Sequence, residues 1–125
     1  RQSLRKLMKL ILQTLLFLMA WKFAYASEKY NLVYVEQQGC FYCEIWDEEI
    51  AHIYPKTREG QFAPLIRLDI ANYETTMDYV KPVVFTPTFI LTKDSSEISR
   101  VEGYIGDDLF WGMLEVMLKR ETNYK

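Results

Sequence analysis

The sequence predicts an α/β fold, a sheet with helices on both faces. Three observations lead there. Short β-branched and aromatic runs alternate with longer stretches whose apolar residues recur at helical spacing. These follow one another as strand, helix, strand, short helix, strand, strand, helix. The only two cysteines, Cys40 and Cys43, stand at the first strand-to-helix junction.

Leu32-Val33-Tyr34-Val35 is the first strand, and Glu36-Gln37-Gln38-Gly39 a polar loop closed by glycine. From residue 43 to residue 54 Trp46, Ile50, Ile53 and Tyr54 recur at helical spacing. Glu44, Glu48 and His52 share another face, and Pro55 ends the run. Residues 56–63 read as a polar loop, and Leu65-Ile66-Arg67-Leu68-Asp69 as the second strand. Tyr73, Met77 and Val80 form one stripe if residues 72–80 are a short helix. A connecting segment reaches Thr86, and residues 88–92 are the third strand. Lys93-Asp94-Ser95-Ser96 is a turn by composition. Residues 97–102, with Ile98 and Val101 apolar, are a fourth strand at the sheet edge, in a hairpin with the third. Gly103 breaks the run, and Gly106 or Asp107 caps the last helix. Leu109, Phe110, Met113, Leu114, Met117 and Leu118 give that helix its core stripe. Lys119 and Arg120 complement the dipole in its last turn.

Residues 1–26 behave differently from residues 27–125. Arg1, Arg5, Lys6 and Lys9 make a basic start, and an apolar run follows, interrupted by Gln13 and Thr14. Ala24-Tyr25-Ala26 then places small residues where a signal peptidase reads. The pattern is that of a secretory signal cut after Ala26, with an uncleaved anchor or an amphipathic helix as the alternative. The apolar run falls short of the roughly 20 residues a span requires. Residues 1–26 carry five basic and no acidic side chains, so residues 27–125 hold 10 Lys+Arg against 17 Asp+Glu, a net of −7. That balance argues against nucleic-acid or anionic-membrane binding. The 99 residues after the cut suffice for one small domain.

Cysteines three positions apart close too short a loop to restrict the unfolded chain much. They suit a reversible dithiol–disulfide couple better than a structural staple. A zinc half-site is the other reading, but only His52 and scattered carboxylates remain as ligands.

Cys40-Phe41-Tyr42-Cys43 at the first strand-to-helix turn and Thr86-Pro87-Thr88 at the third strand resemble the thioredoxin superfamily. The resemblance spans residues 28–120. The stretch from Gly39 through Trp46-Asp47 to Ile53-Tyr54-Pro55-Lys56-Thr57 is similar to a narrower group. These are the small periplasmic thioredoxins of bacterial sulfur-oxidation clusters, of the SoxS type. The resemblance implies a thioredoxin-like α/β fold with a central mixed four-stranded sheet and helices on both faces. It implies an exported, periplasmic thiol–disulfide oxidoreductase working as a reductant, with no cofactor or metal beyond the Cys40–Cys43 couple. The implied partners are a protein disulfide, in particular a sulfur-carrier protein, and a membrane thiol electron donor. A monomer is expected. General periplasmic reduction of the cytochrome c maturation type, a disulfide oxidase or isomerase, and a non-enzymatic adaptor or metal carrier remain open.

The chain departs from thioredoxin's own pattern. Gly39 replaces a tryptophan, and Phe41-Tyr42 replaces Gly-Pro. Tyr34 occupies the position of a buried acid, and Arg67 that of an interior lysine. A glutaredoxin-like glycine pair is replaced by Glu102-Gly103, so glutathione binding is not implied.

In this frame Cys40 lies just ahead of a helix N-terminus, where free amides favour its thiolate. It is the expected nucleophile, and Cys43, one turn in, the resolving thiol. Pro87 is expected cis by resemblance, with Thr86 beside the thiols offering main chain to an extended substrate. Phe41, Tyr42 and Phe85 are candidate rim residues, Phe85 equally a core candidate. His52 falls on the solvated face, two turns from Cys43 and out of proton-transfer reach. Trp46 and Trp111 read as core or rim aromatics, and Glu44, Asp47, Glu48 and Glu49 as a helix-stabilising acidic group.

Overall fold

The computed structural model describes residues 1–22 and 27–125. The expected peptidase site, Ala24-Tyr25-Ala26, lies outside the described residues. Helix α1 (Gln2–Lys22) precedes the body. Where they are described, its side chains are exposed throughout. Among the described residues no helix is long and apolar enough to cross a membrane.

The body is an α/β unit around a mixed four-stranded sheet of order β2-β1-β3-β4. β1 (Tyr30–Glu36) runs parallel to β2 (Leu65–Asp69) and antiparallel to β3 (Thr88–Lys93). β3 forms the expected hairpin with β4 (Ser96–Glu102), which takes a sheet edge. The turn has positive φ at Asp94 and Ser95 (49° and 69°), the twist a two-residue hairpin loop requires.

Alternation along the strands sorts the core into two layers. Leu32, Tyr34, Phe89 and Leu91 face a cluster with Trp46, Ile50, Tyr54, Phe110, Leu114 and Leu118. The helical elements supply that layer. They are α2 (Phe41–Trp46), a π-helical run (Asp47–Ala51), a 3₁₀ turn (Tyr54–Lys56), α3 (Arg58–Phe62) and α4 (Asp107–Glu121). Val33, Val35 and Ile90 face the other way, against Tyr73 and Val83.

Three expectations change. The helix read over residues 43–54 begins earlier, at Phe41, and widens into the π run, leaving Ile53 at the surface. The polar loop over residues 56–63 contains α3, capped by Thr57, whose Oγ1 accepts the Gly60 N–H at 3.0 Å. Residues 72–80 form turns rather than a helix. Local bonds compete there. The Ala71 N–H donates to Asp69 Oδ1 at 2.8 Å, and the Thr76 hydroxyl bonds the Tyr73 carbonyl. Tyr73 and Met77 still cover the second sheet face, from irregular chain. The sheet is thus sandwiched as expected, but among the described residues its helical cover lies on one face.

Candidate active site

β1 ends at Glu36, and the chain turns through Gly39, whose φ of 78° favours glycine. Cys40 follows with an extended backbone as the N-cap of α2. Its Sγ accepts the Cys43 N–H at 3.2 Å. Cys40 and Cys43 are joined as a disulfide, with Cα atoms 5.2 Å apart. The two sulfurs differ in setting. Cys43 is 4% exposed inside the first core layer, whereas Cys40 is partly exposed at its margin.

The register brings the second motif to the same end of the sheet. Thr88 of β3 pairs with Val35 of β1, one residue before the end of that strand. Thr86 and Pro87 therefore enter β3 where β1 delivers the cysteines. The Thr86–Pro87 peptide bond is cis, as the resemblance implied. Pro87 is buried, and its carbonyl accepts the Gly103 N–H at 2.7 Å. The Thr88 hydroxyl donates to the Phe85 carbonyl at 2.6 Å. Thr86 is half-buried, and its own N–H and C=O make no hydrogen bond to any described residue.

Phe41 and Tyr42 stand outward, edge to face with ring centroids 5.4 Å apart. They are 65% and 54% exposed, and Phe85 is 59% exposed, which excludes the core reading for it. Val84 and Ile105 are exposed as well, and the sequence reading passed over both. The signal for Val84 was the unbroken apolar triplet Val83-Val84-Phe85, of which only Val83 goes inward.

Beneath the disulfide the substituted positions meet. Tyr34 of β1 pairs with Arg67 of β2, whose guanidinium lies over the Tyr34 ring, 5.0 Å from its centroid. The Tyr34 hydroxyl donates to the Cys43 carbonyl at 3.2 Å. Burial pushes this phenol well above its usual range, and Asp47 and Glu36 push the same way. It acts as a hydrogen-bond donor, not a base. Arg67 Nη2 donates to Asp47 Oδ1 at 2.6 Å and to Glu36 Oε2 at 2.7 Å. Burial works against the Arg67 charge, but the hydrogen bonds it donates to Asp47 and Glu36 outweigh that and raise its pKa. The Asp47 N–H bonds back to the Cys43 and Glu44 carbonyls, so strand pair and helix are tied at the second cysteine.

His52 is exposed, as expected from its helix face. Trp46 and Trp111 pack into the first core layer, Trp46 fully and Trp111 at its edge. Among the described residues no group of three or more His, Cys, Asp or Glu stands close enough to hold a metal ion.

No family model and no curated protein matches the sequence. Solved structures do. The reduced periplasmic thioredoxin SoxS from Paracoccus pantotrophus is 43% identical, with a TM-score of 0.71, over 74% of this chain and 98% of that one. Fasciola hepatica thioredoxin is 20% identical, with a TM-score of 0.52, over 75% of this chain and 82% of that one. Malassezia sympodialis thioredoxin is 17% identical, with a TM-score of 0.54, over 74% and 77%. The latter two carry the fold alone. With a redox pair at the cap of α2 and this degree of identity to SoxS, the chain belongs to the thioredoxin family, among the SoxS-type thioredoxins, and is a thiol–disulfide oxidoreductase.

Proposed function

We propose that the protein is a periplasmic reductant of protein disulfides, with a sulfur-oxidation carrier protein as its substrate. The observation that carries the chemistry is the asymmetry of the two sulfurs, one at the margin and one buried. The reduced Cys40 thiolate attacks one sulfur of a partner disulfide, forms a mixed disulfide and expels the partner's other sulfur as a thiolate. The Cys43 thiolate then attacks Cys40 Sγ. The Cys40–Cys43 bond forms, and the partner's second thiolate leaves. Two electrons and two protons have passed to the partner. A dithiol donor at the membrane restores the reduced pair.

Docking falls to Phe41, Tyr42, Thr86 and Pro87. The free main-chain groups of Thr86 suit an extended substrate segment, which hydrogen-bonds as a strand does, and the two aromatics supply an apolar rim. The sulfur-oxidation context and the periplasmic location rest on likeness to SoxS, itself a periplasmic thioredoxin. Residues 1–26 serve as a secretory signal and residues 27–125 as the working domain.

The test is trapping. Cys43→Ser attacks but cannot resolve, so it accumulates mixed disulfides with its partners, and a sulfur-carrier protein is expected among them. Cys40→Ser neither reduces insulin nor traps. Release of reduced partner by Cys43→Ser at the wild-type rate, or trapping by Cys40→Ser instead, overturns the assignment.

A further inference from the structure

Residues 70–87 carry Thr86 to the dithiol end of the sheet without a helix or strand of their own. Their position is fixed from the edge strand β4. Arg100 Nε and Nη2 donate to Glu97 Oε2 and Oε1 at 2.8 and 2.5 Å. The same guanidinium reaches the Lys81 carbonyl at 2.8 Å and the Pro82 carbonyl at 3.3 Å. Glu97 Oε1 also accepts the Val80 N–H at 3.2 Å. The two side chains are only 8% and 5% exposed.

Burying such a pair is a poor route to stability, since an apolar pair of similar volume usually serves as well or better. Its use is direction. A planar fork with fixed donors holds two successive carbonyls in one register, which apolar packing does not. Just beyond Pro82, Val83 goes inward and its N–H donates to the Tyr73 hydroxyl at 2.6 Å. Val84 and Phe85 then face out, and Thr86 follows.

We infer that the Glu97–Arg100 pair positions the substrate-docking segment, setting where the Val84–Phe85 rim and the Thr86 main chain stand. The inference rests on the reading of Thr86 as a docking edge. Glu97 and Arg100 touch no substrate and are positioning residues. They make no bond to α2 or to the cysteines, so their loss acts on docking and leaves the dithiol chemistry alone.

The experiment compares a protein disulfide, insulin, with a small aromatic disulfide reagent. It uses the wild type, the double variant Glu97→Met/Arg100→Met, and Arg100→Lys. The double variant exchanges both charges for apolar volume. It is expected to melt cooperatively and to react with the small reagent within about twofold of wild type. Its KM for insulin rises about tenfold at nearly unchanged kcat, the cost of ordering a loosened segment on binding. Arg100→Lys, which keeps the charge and loses the fork, falls between. Faster amide exchange at Val80 with a wild-type KM overturns the inference, as does a fall in kcat at unchanged KM. If the double variant does not fold, Arg100→Lys decides: a raised KM supports the inference and an unchanged one overturns it. A wild type that attacks the small reagent but not insulin refutes the protein-disulfide reading, and the inference with it.

Discussion

Cys40 owes its setting to being the cap of a helix rather than a member of it. Its sulfur faces the Cys43 amide at 3.2 Å, and α2 presents its other free first-turn amides toward the same end. In the reduced protein those donors favour the anion. Cys40 should therefore be alkylated by iodoacetamide at pH 6–7 faster than a free cysteine. An alkylation profile centred near the unperturbed value of about 8.5 would remove the capping argument. At this scale the redox pair was legible from the spacing of the two cysteines, and the cis proline only through the resemblance. The Arg67 and Arg100 contacts were not legible. Arg67 meets Tyr34 only because β2 pairs with β1 in parallel, and Arg100 meets the Lys81 and Pro82 carbonyls only because irregular chain runs past β4.

Among the elements, strands were read more truly than helices. Their apolar runs are short and dense, and β2 matches its reading at both ends. The misread stretches are those where local side-chain bonds or tight packing decide. α3 is only five residues long, too short to show a period, and its one signal was Thr57 placed to cap it. Gly60 lets α3 pack close against the 3₁₀ turn. A Cβ there would lie 1.8 Å from the Tyr54 carbonyl oxygen and 2.6 Å from its carbon, and Tyr54 is fully buried. Gly60→Ala must push α3 away from the 3₁₀ turn. A loss of about 1–3 kcal/mol in unfolding free energy is expected, the usual scale of overpacking. Chemical denaturation measures it, and a midpoint equal to wild type would mean that the two turns are free to separate. Reduction of small disulfides should be nearly unaffected, because the Cys40 cap lies outside the shifted segment.

Over the whole molecule, the core was predictable from the strand stripes and only in part from the last helix, where Phe110, Leu114, Met117 and Leu118 go inward while Leu109 and Met113, read in the same stripe, stay exposed. The second sheet face was covered by two of the three residues of the expected stripe, Tyr73 and Met77, in an unexpected conformation, while Val80 stays exposed. Tyr73 and Met77 were legible as apolar, and their covering of Val33, Val35 and Ile90 follows from where β1 and β3 leave a bare surface.

The basic N-terminal helix stands apart from this economy. Leu4, Leu7, Met8, Leu10, Ile11, Leu12, Leu15 and Leu16 of α1 are all exposed, and neither core layer includes any of its described side chains. Burial of apolar area is what a helix of this composition would contribute to a fold. Since the described core layers draw nothing from α1, its removal should leave the body's stability unchanged. Residues 27–125 expressed alone should therefore melt within a degree or so of the same body carrying α1, the domain core being untouched. Expressed behind a start methionine in a bacterium with a Sec pathway, the full chain should be recovered beginning at Ser27, by N-terminal sequencing or intact mass. Recovery of residues 1–26 on the protein in the membrane fraction would instead make α1 a retained anchor. The dithiol would then work at the membrane surface, within reach of the membrane donor proposed above. A fall in melting temperature on removing α1 would mean that the helix packs on the body after all.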